Sequence, residues 1–234
     1  MLEGDQLAAW LSARAGKLTA SRMADATDVL KSGKPSARRI RLMHEILAER
    51  MTGDSVRHFV SDAMQWGLDR EAEAKSAYEA ETGVMLADAG FYDHPRIDLF
   101  GATPDALHPD GGLVEIKCPT SQTFVEWRLA GVVPDEHKPQ MLAQLACTGR
   151  AWCEFVAFDP RVRDPRYRLF VRRFAPTPEE IAAIEAAAEA FLAEVDAMWE
   201  QLTAAGATRR SAARPPISPA SGSAGTSWSS ARPR

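Results

Sequence analysis

Three cysteines in 234 residues, Cys118, Cys147 and Cys153, are too few and wrongly spaced for the sites that cysteine builds. Their number is odd and no two form a C-x-x-C pair, which excludes a disulfide framework, a zinc ribbon and a cysteine-ligated iron–sulfur cluster. No apolar run is long enough to span a bilayer. The first ten residues, MLEGDQLAAW, lack the basic start and apolar stretch of a signal peptide, so the expectation is a cytoplasmic protein without membrane contact. Positive charge is also scarce, with a net charge of −4. Beyond Ala204 lie five arginines (209, 210, 214, 232 and 234) and no acid, so the remainder carries 23 basic against 32 acidic residues. Binding to nucleic acid through a broadly basic surface is thereby excluded. Any such contact has to be local, through a lined groove and bound cations.

With 45% apolar residues the chain can bury one sizeable α/β core, expected over residues 1–203. Residues 204–234, rich in Ser, Ala, Arg, Pro and Gly, have too little apolar content to fold alone and read as a disordered tail. The most informative stretch is Thr103 to Pro119, TPDALHPDGGLVEIKCP. His108-Pro109-Asp110-Gly111-Gly112 has the composition of a tight turn, which brings Asp105 back towards Glu115. In a strand, Leu113, Glu115 and Lys117 share one face, and Val114, Ile116 and Cys118 the other. Two carboxylates converging without a partner repel, so the arrangement calls for a cation, and hard oxygen ligands suit Mg2+ or Mn2+. Lys117 beside such an ion can orient its water or stabilise developing charge. Taken alone, Glu-x-Lys also describes a solvated pair on an ordinary hairpin.

Periodicity predicts helices over Gln6–Arg14, from a Ser36 cap to Met51, and over Ser61–Thr82 with Met64, Leu68, Ala72 and Tyr78 as its stripe. It further predicts helices over Ser121–Ala130, from Lys138 to Gly149, and a long one opened by the capping box Thr177-Pro178-Glu179-Glu180. Strands are expected at Val84–Tyr92, Ile97–Gly101, Ala151–Asp159 and Tyr167–Phe174. Arg161, Arg163, Arg166 and Arg168 decorate the last turn, either facing DNA or merely solvated. Arg14 with Ser21 at a helix start fits an anion site, or else a solvated charge and an N-cap.

Several separated motifs occur in one order: Trp10, Arg14, Gly16, Thr19-Ala20-Ser21; Trp66-Gly67 with Glu71; Thr103-Pro104-Asp105; Glu115-Ile116-Lys117-Cys118-Pro119; and Gln140 ahead of Cys147-Thr148-Gly149. Together, over about residues 7 to 175, they resemble the phage lambda exonuclease group of PD-(D/E)XK nucleases, the viral-recombinase exonucleases. The resemblance implies a single-domain α/β nuclease core, a mixed central sheet flanked by helices. It implies Mg2+-dependent removal of a strand of linear duplex DNA from its 5′ end, leaving a 3′ overhang. Glu71, Asp105 and Glu115 would hold the metal with the Ile116 carbonyl, Lys117 and Gln140 would position the water, and Arg14 and Ser21 would bind the terminal 5′-phosphate. Partners implied are duplex DNA ends, further copies of the chain in a trimeric ring, and a single-strand annealing recombinase. Where some relatives carry a further acid, this chain has His94 with Asp98 beyond it, and Thr-Pro-Asp-Ala replaces the usual Ser-Pro-Asp-Gly. An endonuclease of restriction type, or a non-catalytic DNA-end-binding module, would use the same core.

Overall fold

Four strands, β4 (Ala106–Leu107), β5 (Leu113–Lys117), β6 (Cys153–Phe158) and β7 (Leu169–Phe174), form one sheet in chain order. A computed structural model describes residues 5–55 and 62–212 of the chain. The β4–β5 and β6–β7 pairs are antiparallel, as short turns allow, whereas β5 and β6 are parallel. A parallel pair needs a crossover, and helices α5 (Ser121–Ala130) and α6 (Lys138–Thr148) supply it. A second, smaller mixed sheet is made of β1 (Leu18–Thr19), β3 (Phe100–Ala102) and β2 (Tyr92–Asp93), with β3 in the middle. The expected mixed α/β architecture is present, with the strands among the described residues divided between two mixed sheets. The expected strand at Val84–Tyr92 shrinks to one bridge, Ala87 with Leu107, plus the start of β2. Two-residue β4 offers Ala87 one reciprocal pair of backbone bonds (3.0 and 2.8 Å) and no ladder to extend.

Helix α1 (Asp5–Arg14), the short α2 (Met23–Ala26), α3 (Ala37–Thr52) and α4 (Asp62–Thr82) precede this core. Ser36 caps α3 by accepting the Arg39 N–H at 3.2 Å, satisfying a donor that the helix itself cannot. On α4 the buried residues among those described are Ala74 and Tyr78, one turn apart. Ala72 is exposed rather than part of the stripe, and the side chains of Met64 and Leu68 lie outside the described residues. The last helix, α7 (Pro178–Ala212), opens on the expected capping box. Thr177 N–H donates to Glu180 Oε2 at 2.8 Å, and Glu180 N–H donates to Thr177 Oγ1 at 3.3 Å. Its stripe Ile184, Ala188, Phe191, Leu192 and Val195 is buried. The helix runs on past Ala204 to Ala212, through alanines that favour helix; residues 213–234 of the expected tail lie outside the described residues. The described residues fall into two compact units, one up to Ala197 and one from Met198 onward. No described helix is long and apolar enough to cross a membrane.

Both faces of β5 are covered. Val114 and Ile116 pack with Ala74, Tyr78, Leu86 and Phe158, while Leu113 packs with Phe124, Met141, Leu145 and Phe155. Packed against α2, α3 buries Leu42, Ile46 and, in the same stripe, Glu49. Glu49 receives a fork from Arg22 (3.0 and 2.6 Å) and the Gly16 N–H (3.0 Å). Removing one partner of a buried pair leaves the other desolvated and unpaired, so Glu49→Ala should lower stability by about 3 kcal/mol. Urea denaturation followed by circular dichroism measures it, and a loss within experimental error would show the pair to be dispensable.

Candidate active site

The hairpin between β4 and β5 closes as the sequence anticipates. His108 N–H donates to the Gly112 carbonyl at 2.9 Å, and Gly111 sits at φ 85°, in the left-handed region. Gly112 has no room for a side chain, because a Cβ there would lie 2.3 Å from the Trp152 ring. The register pairs Ala106 with Val114; one residue further it sets Asp105 opposite Glu115. Asp105 Oδ2 accepts the Ile116 N–H at 2.6 Å, which pins the carboxylate to the strand that carries its partner.

Glu115 is completely buried, so its pair with Lys117 sits under α6 rather than on the solvated hairpin that Glu-x-Lys alone also describes. Gln140 Nε2 donates to Glu115 Oε1 at 2.7 Å, and Gln144 Nε2 to Oε2 at 2.6 Å. Being four apart, the two glutamines share one face of α6. Lys117 Nζ completes the shell, 2.5 Å from Glu115 Oε1 and 3.5 Å from Gln140 Oε1. Burial works against the Lys117 charge, but Glu115, Asp105 and Glu71 outweigh it and hold the ammonium above its usual range. Gln144 reads from sequence as a supporting residue one turn beyond Gln140. Structure makes it a direct, fully buried ligand of Glu115, with its own Oε1 lacking a hydrogen-bond partner.

Burial raises the Asp105 carboxyl well above its ordinary range, with Glu115 and then Glu71 adding to the effect and Lys117 opposing it. Glu71, half-buried on α4, is raised by burial first and by Glu115 second. The three acids therefore share one electrostatic neighbourhood. Among the described residues no three His, Cys, Asp or Glu side chains lie close enough to hold a metal ion as they stand. His94 is engaged elsewhere: its Nε2 meets Glu185 Oε1 at 2.9 Å, and its Nδ1 accepts from Arg96 and Ile97. Asp98 is exposed.

Arg14 ends α1 and lies over the Trp10 ring, 4.0 Å from its centroid. Trp10 Nε1 donates to Thr103 Oγ1 at 3.2 Å, two residues ahead of Asp105. No described carboxylate pairs with Arg14, and burial, then repulsion from Arg22, lowers its pKa to about 10 despite the attraction of Glu49. Ser21 lies exposed in a 3-10 turn (Ala20–Arg22), its Oγ 3.3 Å from Thr19 Oγ1. The N-cap of that turn is Thr19, not Ser21. The Arg22–Glu49 pair beside Arg14 escapes a reading by motif, although an acid in the stripe of Leu42 and Ile46 is a visible signal for it.

An aspartate ahead of one strand, Glu-x-Lys on the next and a mixed sheet between helices define the PD-(D/E)XK class. Residues 9–151 match the YqaJ-like viral recombinase domain, and the chain belongs to that family. It is similar to the alkaline exonuclease LHK-Exo from Laribacter hongkongensis, with 40% identity and a TM-score of 0.78, covering 86% of this chain and 98% of that one. The same enzyme in complex with dAMP gives 40% identity and 0.79 over the same shares, 86% and 98%. A phage-related exonuclease from Haemophilus somnus, 15% identical, shares the fold with a TM-score of 0.57 over 80% of this chain and 95% of that chain. A search of curated proteins finds no match.

The two carboxylates respond in opposite senses to neutralisation. Because the native pKa of Asp105 is raised, the stability this group allows is present at acid pH and lost as pH rises through that value. Asp105→Asn should therefore stabilise the metal-free protein at neutral pH, on the order of 1 kcal/mol or about 2–4 °C in melting temperature. Glu115→Ala leaves Gln140, Gln144 and Lys117 without their acceptor and should cost about 3 kcal/mol. Thermal melts in EDTA read both, and a destabilised Asp105→Asn would refute the account of Asp105 as a charge disfavoured by burial and by its acidic neighbours.

Proposed function

We propose that this protein hydrolyses phosphodiesters of linear duplex DNA with Mg2+ or Mn2+, removing one strand from its 5′ end and leaving a 3′ overhang for a single-strand annealing recombinase. The observation that carries the reading is Lys117 held against Glu115 and Gln140 beside the raised Asp105 carboxyl. Membership of a viral recombinase family supports it, as does the similarity to an alkaline exonuclease.

In donor type, though not in their present spacing, the residues fit a hard divalent ion. The donors are oxygens, and burial, followed by mutual repulsion, raises Asp105 and Glu71; both are costs that a cation offsets. Glu71, Asp105, Glu115 and the Ile116 carbonyl would hold it; when bound, it would polarise a phosphate oxygen and acidify a water. The chain's own groups do the rest. Lys117 presents a fixed ammonium, part-exposed on one side, to charge that develops on the phosphoryl oxygens. Gln140, bonded to both Glu115 and Lys117, sets the spacing between them, and Gln144 fixes the far carboxylate oxygen. Arg14, desolvated and without a carboxylate partner among the described residues, is an anion site for the terminal 5′-phosphate, with the Ser21 hydroxyl nearby in sequence. A ring of three copies would enclose the duplex, in line with the resemblance.

Lys117→Ala should retain folding and DNA binding while losing about 10²-fold or more in cleavage, measured on end-labelled duplex with Mg2+ and with EDTA. Near-parental activity would remove Lys117 from the mechanism. Direction is tested separately: a duplex with 5′-phosphate ends should be degraded roughly 10- to 100-fold faster than one with 5′-hydroxyl ends at low substrate. The preference should shrink in Arg14→Ala. Equal rates on both ends, in parent and variant alike, would leave the metal site standing but favour an endonuclease.

A further inference from the structure

The loop between β6 and β7 carries four arginines whose part the sequence leaves open, and the structure separates them. Arg166 forks onto Asp164 (2.7 to 3.3 Å), and Arg168 Nε donates to the Val162 carbonyl at 2.7 Å. Both hold the loop's own shape. Arg161 turns towards the site instead: its Nε donates to Asp159 Oδ1 at 2.7 Å and its NH2 to the Pro119 carbonyl at 2.7 Å. Its guanidinium lies over the Trp66 ring, 4.8 Å from the centroid, and Arg70 meets the same ring at 4.7 Å.

Pro119 follows Lys117 by two residues, just past the end of the strand that bears Glu115, and Trp66 precedes Glu71 by five on α4. Arg161 is therefore fixed between the two elements that carry the site's acids. Its anchor Asp159 is fully buried, yet the Arg161 side chain stays 43% exposed. A guanidinium carries five N–H donors, and NH1 of Arg161 donates to no described residue. A fork already fixed by two hydrogen bonds and an aromatic face loses little freedom when it takes an oxyanion. Arg161 also lies beyond residues 9–151, the part matched to the family domain.

We propose that Arg161 binds a backbone phosphate of the DNA strand held at this site, flanking the phosphodiester that is cut, through NH1. The assignment rests on the reading of the site as a DNA nuclease. Because the contact is to a phosphate, it holds the strand in place without reading its sequence.

The test is the salt dependence of binding of a 5′-labelled blunt duplex to the full chain in EDTA, followed by fluorescence anisotropy. Each phosphate contact contributes about 0.7 to 0.9 to the slope of log affinity against log salt. Arg161→Gln should flatten the slope by about that amount and weaken binding roughly 10-fold. Arg161→Lys, which keeps the charge but not the fork, should keep the slope while losing part of the affinity. Arg166→Gln, whose partner is Asp164, should bind as the parent does. A parental slope in folded Arg161→Gln, or an equal loss in Arg166→Gln, overturns the assignment. If Arg161→Gln melts early, a Lys variant with a slope as flat as that of folded Arg14→Ala overturns it in its place. Failure of the nuclease reading itself looks different: the parent would then show no salt-dependent binding.

Discussion

A carboxylate with no solvent at the centre of a sheet is the constraint on which this structure depends. Glu115 unpaired would cost several kcal/mol, and the surrounding architecture is the set of groups that prevent it. Gln140 and Gln144 reach it because they lie four residues apart on one helix, and the α5–α6 crossover lays that helix over the β5 face. Lys117 reaches it because two residues along a strand return to the same face. Phe155, beside Glu115 in the parallel register, and Met141 and Leu145 on α6 exclude water from the remainder. The same enclosure makes the Lys117 ammonium a fixed charge rather than a mobile one.

Position in the chain was legible where a local rule set it. The Ser36 cap, the Thr177–Glu180 box, α5 and the Asp105 hairpin all follow from a few adjacent residues. The Val84–Tyr92 strand was not, because a strand exists only through its neighbour, and β4 is too short to be one. The depth of Glu115 was hidden for a related reason. Glu-x-Lys on a strand reads the same whether solvent or a helix covers it, and only the crossover decides. Motif order supplied Gln140 but ranked Gln144 behind it, although the geometry gives each glutamine one carboxylate oxygen. Of the two starts the sequence allows at Thr19 or Ser21, the turn at Ala20–Arg22 takes Thr19 as its N-cap, so the alternative of Ser21 as a cap falls.

Glu49 illustrates how a buried acid can organise rather than react. It lies among apolar neighbours on α3, takes the Arg22 fork and the Gly16 N–H, and so fixes the turn from α1 into β1. Arg22 is thereby neutralised while Arg14 is not. Two arginines in one neighbourhood thus play opposite parts, one closing the structure and the other left with an aromatic face and no described counter-charge.

An acidic chain that handles DNA has to keep attraction and chemistry in different places. Around Glu115 the local sign is negative, and a phosphate approaching the acids without a cation meets repulsion that Lys117 alone offsets only in part. Arg14 and Arg161 have a different setting. Each is stacked on a tryptophan, Trp10 or Trp66, and each is tied to an element of the acid cluster, through Thr103 in one case and Pro119 in the other. On the reading proposed, the terminal 5′-phosphate and a backbone phosphate are therefore held at two guanidinium groups, Arg14 and Arg161, and the phosphodiester to be cut is carried towards charges it would not approach unaided. Strand affinity would then depend strongly on salt and on these two arginines, whereas turnover would depend on the Lys117–Glu115 pair, whose contact is buried and little screened.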